Sequence, residues 1–157
     1  RQAAEALLKN RDVPAAAEAF RRILVEGGDH AHAATCHYKL SICYQRLKDY
    51  RAALCSIDAA LELLNAPDYQ PGAITNTNGK RAQDTVVERI ARERGNAYLS
   101  RGVVQWALGA LEEAKCSFEA CLRHYPGGKC DSAVYKLAEV RKRIALKDAQ
   151  DQAQAQG

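Results

Sequence analysis

Small and large apolar residues recur along the chain at the spacing of an amphipathic helix. In the segment 48–64, "KDYRAALCSIDAALELL", Ala53 is followed four residues later by Ile57 and then by Ala60 and Leu61. Positions i, i+4 and i+7 lie on one face of an α-helix, which predicts a helix with one buried side. The small residue lets a neighbouring helix approach closely, and the large residue fills the space one turn further on.

The same pattern occurs in two further segments, 109–126 and 12–24. The paired small and large positions are Ala53 and Ile57, Ala114 and Phe118, and Ala16 and Phe20. A second helical pattern precedes each segment, as in the stripe Leu40, Tyr44 and Leu47, and two or three residues separate the two. The chain is therefore predicted to consist of repeated helix–turn–helix units.

These units resemble the tetratricopeptide repeat family, whose unit has about 34 residues and the pattern W-x2-L-G-x2-Y … A-x3-F … P. The second unit has His37 for Trp, Leu40, Ser41 for Gly, Tyr44, Ala53, Ile57 for Phe, and Ala60. The third unit has Tyr98, Gly102, Ala114, Phe118 and Pro126, and departs at Arg101 and Gln105. The first unit has Ala4, Leu7, Ala16, Phe20 and Ile23. The resemblance implies an all-α solenoid of about seven helices in a right-handed superhelix.

The spacing of the repeats predicts an insertion. Ala16 and Ala53 are 37 residues apart, but Ala53 and Ala114 are 61 apart, about 27 more than one repeat. The expected units are 1–28, 31–65 and 84–126, and the segment 66–83 carries Pro-Gly and Asn-Gly turn signals. We expect a loop there, followed by a helix that Asp84 caps and that ends near Leu108.

The end of the chain is predicted to form a capping helix. Over 131–149, with Asp131 as the expected N-cap, the apolar positions Ala133, Leu137, Val140 and Ile144 form one stripe. A solenoid needs a terminal element with one apolar and one polar face. The single domain would then span 1–149, and the polar segment 150–157 is expected to be disordered.

Composition and charge limit the classes of partner that we expect. The net charge is +4, and the Lys and Arg residues are dispersed among Asp and Glu. Nucleic-acid binders concentrate their basic residues, so no nucleic-acid partner is expected. No apolar run is long enough for a membrane helix, and none of the six cysteines forms a C-x-x-C pair. We expect reduced thiols, a cytoplasmic location and no membrane association.

Motifs for catalysis are missing from the sequence, which has no phosphate loop, no H-E-x-x-H and no G-x-S-x-G. His32, Cys36 and Cys43 fall on one helix face and offer three of four zinc ligands. Packing between helices explains Cys36 and Cys43 better, because Cys acts as a small apolar residue. We therefore expect no enzyme activity, metal or cofactor.

The resemblance implies that the first helix of each unit lines a concave groove that binds a peptide or helix of another protein. The groove residues would be Tyr38, Lys39, Ile42, Gln45 and Arg46 from the second unit, and Asn96, Leu99, Val103 and Trp106 from the third. Trp106, the single Trp, would anchor a partner in the groove or lie in the core under the inserted loop.

Some members of the family hold the C-terminal carboxylate of heat-shock chaperones with a two-carboxylate clamp. The matching positions here are Arg1, Glu5, Lys39, Asn96 and Ser100. Glu5 would repel a carboxylate, and Asn96 and Ser100 are uncharged, so this clamp is not expected.

The inserted segment leaves two interpretations open. Tyr69 and Ile74 would let it fold back into the groove, and Lys80 and Arg81 would suit an acidic partner; otherwise it is a linker. The function expected overall is protein–protein interaction, as an adaptor, scaffold or co-chaperone. The alternatives are a spacer or self-association segment of a larger protein and, less favoured, a metal-dependent regulator or enzyme.

Overall fold

The computed structural model describes residues 2–71 and 85–156. Within these residues the chain forms seven α-helices and one short 3₁₀ turn. The helices are α1 (Gln2–Lys9), α2 (Val13–Glu26), α3 (His30–Arg46), α4 (Tyr50–Leu64), α5 (Val86–Ala107), α6 (Leu111–His124) and α7 (Asp131–Ala155). Each helix packs against the next along the chain, which is the arrangement of an α-solenoid. The all-α prediction is confirmed.

The repeated small and large positions form the core between the paired helices. Ala16, Ala53 and Ala114 are fully buried, and so are the large residues Phe20, Ile57 and Phe118. Helices α1 to α6 form three helix–turn–helix pairs, in which the small residue of the second helix faces its partner. The i, i+4 pattern therefore identified the packed side of each unit.

The turn inside each pair has the same backbone geometry at equivalent positions. Arg11, Lys48 and Gly109 all have positive φ, of 65°, 60° and 80°. In the first two turns an aspartate follows, and Asp12 and Asp49 accept hydrogen bonds from the backbone N–H groups of Ala15 and Ala52. These caps satisfy amide groups that the first turn of a helix leaves unpaired.

The N-cap of helix α5 lies one residue later than predicted. Thr85 is the N-cap, and its hydroxyl and the Glu88 carboxylate form a reciprocal capping box. Asp84, the predicted cap, lies outside the described residues. The capping box uses a hydroxyl at the cap and a carboxylate three residues later, a combination present at Thr85 and Glu88. At 22 residues, α5 is unusually long for this kind of unit, as predicted.

Helix α7 has the predicted apolar side, but its N-cap and its last residue differ from the prediction. Ala133, Leu137 and Val140 are buried against α6, and Ile144 packs beside them. Cys130, not Asp131, occupies the cap position, and Asp131 is the first helical residue, where its charge complements the helix dipole. The helix continues to Ala155 rather than giving way at 150 to a disordered tail. Ala and Gln favour helix, and no Gly or Pro interrupts the sequence before the last residue.

Candidate peptide-binding groove

The first helices of the second and third units, α3 and α5, lie side by side on one face of the solenoid. Helix α4 packs behind both of them. The side chain of Gln45 on α3 donates from Nε2 to Oγ of Ser100 on α5 at 2.7 Å. This hydrogen bond joins the two helices across the floor of the predicted groove.

A cavity of about 160 Å³ opens between α3 and α5. Its walls come from both helices and from the chain that follows α4. The lining residues are Ala34, Thr35, Tyr38, Leu64, Tyr69, Glu93 and Asn96. We call this cavity the groove pocket. Its walls are mainly apolar, and its polar groups are those of Thr35, Glu93, Asn96 and the two tyrosines.

Tyr69 brings the start of the inserted segment into this pocket. Its side chain is only 3% exposed, and its hydroxyl donates to Glu93 Oε2 at 2.7 Å. Burial raises the pKa of Tyr69 far above its usual range, and the hydrogen bond to the adjacent Glu93 carboxylate raises it further. The folding back of Tyr69 agrees with the first interpretation of the insertion. Ile74, Lys80 and Arg81 lie outside the described residues.

The predicted groove residues of α3 have different roles in the structure. Tyr38 lines the groove pocket, while Lys39 and Ile42 are half-buried on the same helix. Gln45 is engaged with Ser100. Arg46 is exposed and directs one guanidinium nitrogen toward the backbone carbonyl of Leu8 at 3.4 Å, at the end of α1.

The predicted groove residues of α5 divide into two groups. Asn96 lines the groove pocket beside Tyr38. Leu99, Val103 and Trp106 instead pack against the core cluster of Ala114, Phe118, Leu137 and Val140 on α6 and α7. These three therefore belong to the next seam of the solenoid, where α5 meets α6 and α7.

Trp106 is half-buried at the end of α5, where its ring meets Phe118 edge to face at 6.3 Å between centroids. The guanidinium of Arg143 on α7 lies 5.7 Å from its ring centroid. This placement satisfies neither alternative in full. Trp106 packs on α6 and α7, not beneath residues 66–71, and one side of its ring is held by a cation–π contact.

The positions matched to the carboxylate clamp do not converge as a set of cations. Ser100 is buried and accepts the hydrogen bond from Gln45, and Asn96 is neutral. Lys39 is the cation of the set that the structure describes, since Arg1 lies outside the described residues. The absence of this clamp therefore stays a prediction from the residue types at these positions.

The six cysteines and four histidines all lie within the described residues. Across residues 2–71 and 85–156, no three side chains of His, Cys, Asp or Glu are placed to share a metal ion. All six cysteines are free thiols, with Cys36, Cys43 and Cys121 buried and Cys55 and Cys116 exposed. Burial raises the pKa of the Cys43 thiol, which is the opposite of what a reactive cysteine requires.

Sequence reasoning missed Thr35 and Glu93 as pocket residues. Glu93 stands in the segment "ERIARERG", where charged residues alternate with no marked pattern. A signal was nevertheless present, because Asn96 lies three residues after Glu93 and so shares its helix face. Thr35 matches the same repeat position on α3 as Asn96 on α5.

Comparison with solved structures finds proteins of similar fold. A solved structure titled "First TPR of Spaghetti (RPAP3) bound to HSP90 peptide SRMEEVD" matches 92% of this chain and 90% of its own, with 19% sequence identity and a TM-score of 0.66. No protein-family model and no curated protein matches the sequence. The chain therefore has a tetratricopeptide-repeat-like fold, the α-solenoid expected from its repeats.

No helix in the described part of the chain is both long and apolar enough to cross a membrane.

Proposed function

We propose that this chain is a protein-interaction module of the adaptor, scaffold or co-chaperone type. Its groove between α3 and α5 would bind a peptide or helical segment of a partner. The observation that carries the proposal is the groove pocket, an apolar cavity with a few polar groups on the face formed by the first helices of two units. Ligand sites commonly combine apolar walls with a small number of placed polar groups. The RPAP3 domain, which shares the fold, holds an HSP90 peptide.

A pull-down from lysate of the native source tests this function. The groove variant combines Tyr38→Ala with Asn96→Ala, both in the pocket wall. The matched control combines Glu62→Ala with Glu112→Ala, both exposed on the outer helices α4 and α6. Partners should bind the wild type and the control and be lost from the groove variant. Partners retained by the groove variant would contradict the proposal.

Self-association is a second candidate, and one observation favours it. Tyr135 is 68% exposed on α7, with Val134 and Leu146 also exposed on that helix. Exposed apolar side chains on a terminal helix suit contact with a second copy. Light scattering over a range of protein concentrations should then show a dimer that Tyr135→Ser converts to monomer. A mass that corresponds to the monomer at all concentrations would remove this candidate.

A further inference from the structure

The carboxylate of Glu93 gives the groove pocket an unusual polarity. It shares the pocket wall with the uncharged polar residues Thr35 and Asn96 and with Ala34, Tyr38, Leu64 and Tyr69. A carboxylate has about four lone-pair positions. The Tyr69 hydroxyl donates to one oxygen at 2.7 Å, so the group retains acceptor capacity on the pocket side.

Among the described residues that line the pocket, Glu93 alone carries a charge. Arg89, one turn before Glu93 on α5, and Asp29, at the start of α3, act on the Tyr69 hydroxyl with opposite signs. The guanidinium of Arg94 is already engaged, because its Nε donates to the Leu64 carbonyl at 2.7 Å. In a partly buried setting the carboxylate of Glu93 attracts a cation and disfavours a second carboxylate.

The lining of the pocket suits a long side chain with a charged end. Lys and Arg bury their methylene stems against apolar surface and direct the charged group to a polar partner. Ala34, Leu64 and the Tyr38 ring provide that surface, and Glu93 provides the partner. Charge-assisted hydrogen bonds to carboxylates are stronger than those between neutral groups.

On the assumption that the proposed function is correct, we propose that the groove pocket accepts a lysine or arginine side chain of the partner segment and that Glu93 determines this specificity. Asn96 and Thr35 at the same pocket bind the neighbouring backbone of that segment. Tyr69 positions the carboxylate through its hydrogen bond. The preference is opposite to that of a site built to hold carboxylates.

Selection from a phage-displayed library of random dodecapeptides on the intact chain tests the inference. Wild-type protein should enrich peptides with Lys or Arg at one fixed position. Glu93→Gln keeps the size and a hydrogen-bond acceptor but removes the charge, so the basic enrichment should disappear. Glu62→Gln is the matched control, because it makes the same change at an exposed carboxylate on α4, outside the pocket. It should still enrich basic peptides.

The best peptide is then synthesised with norleucine in place of the basic residue, and both forms are measured by calorimetry. The basic form should bind wild type about tenfold more tightly, a difference of about 1.4 kcal/mol. The two forms should bind Glu93→Gln equally. The comparison of the two peptides on wild type is informative even if a protein variant unfolds.

Three results would overturn the inference, and they separate its failure from that of the proposed function. Peptides that depend on Tyr38 but are acidic or apolar at every fixed position would refute the basic preference and leave the proposed function intact. The same holds if Glu93→Gln selects the same basic peptides. If no selected peptide is weakened by Tyr38→Ala, the groove is not a peptide site, and the proposed function fails together with the inference.

Discussion

Gly102 on α5 faces the ring of Phe118 on α6 so closely that a Cβ atom at Gly102 would lie 2.5 Å from Phe118 Cε1. The equivalent residues of the second unit are Ser41 and Ile57, and both are fully buried. The serine hydroxyl there donates to the Tyr38 carbonyl. The two units therefore fill the same contact with different residue pairs. One packs a glycine against an aromatic ring, and the other packs a serine against a smaller aliphatic side chain.

Gly102→Ser should destabilise the protein by about 1–3 kcal/mol, because overpacking costs that much and outweighs the gain of under about 1 kcal/mol in helix propensity. Urea unfolding measures the change. The double variant Gly102→Ser with Phe118→Ile reproduces the pair of the second unit. It should recover at least about 1 kcal/mol relative to the sum of the single variants. Additive effects would show that the two positions are not coupled.

The buried hydrogen bond between Gln105 and Ser117 provides a second prediction. The serine hydroxyl donates to the amide oxygen of Gln105, and both residues are nearly inaccessible. Ser117→Ala leaves a buried acceptor without its donor, which should cost about 1–3 kcal/mol in unfolding free energy. Adding Gln105→Leu removes the unpaired group, so the double variant should be more stable than Ser117→Ala. A double variant less stable than the single one would contradict this account.

Replacing Lys48 with glycine should stabilise the protein. Its φ of 60° lies in the left-handed region, which costs a residue with a Cβ about 1–2 kcal/mol, whereas Gly109 occupies the equivalent turn. Lys48→Gly should raise the unfolding free energy by about 0.5–1 kcal/mol after the entropic cost of glycine. Lys48→Ala is the matched control, since it removes the same side chain and keeps the Cβ. If both variants gain equally, backbone strain is not the cause.

The raised pKa of Tyr69 predicts that the protein loses stability at high pH. Burial, with the Glu93 hydrogen bond, raises its pKa in the folded state above the unfolded value of about 10. The stabilisation is therefore fully present below about pH 10 and is lost as the pH rises toward the folded pKa. The difference in unfolding free energy between wild type and Tyr69→Phe should be constant from pH 7 to 9 and shrink above about pH 10. A constant difference throughout would mean that Tyr69 does not titrate with unfolding.

The thiols should react in the order of their exposure. Cys55 and Cys116 are exposed, whereas Cys121 is buried, and burial together with the adjacent Cys130 raises the pKa of Cys121 to about 12. Iodoacetamide at pH 8 should alkylate Cys55 and Cys116 first and leave Cys121 unmodified in the folded protein. Peptide mass spectrometry over time measures this order, and urea-unfolded protein is the control in which the difference should vanish. Early labelling of Cys121 in the native state would contradict its burial.

The sequence alone determined the repeated units, because periodicity of small and large residues is a local property that packing must respect. Ala53, Ile57, Ala114 and Phe118 are buried as their spacing predicts. The length of α5 and the apolar side of α7 followed from the same reasoning. The N-caps of α5 and α7 and the end of α7 differ from the prediction, since several polar residues compete for each cap and an alanine- and glutamine-rich end carries no stop signal.

Only the tertiary structure decided which residues of the first helices share one cavity. The spacing of Leu99, Val103 and Trp106 places them on the same side of α5 as Asn96. They nevertheless pack on α6 and α7, whereas Asn96 lines the groove pocket. Helical spacing predicts which residues lie on the same face of α5. It does not predict which of two neighbouring helices each of those residues contacts, because that depends on how the helices cross. Tyr69 meets Glu93, 24 residues further along the chain. No local pattern specifies such a contact, because it depends on where the chain returns after α4.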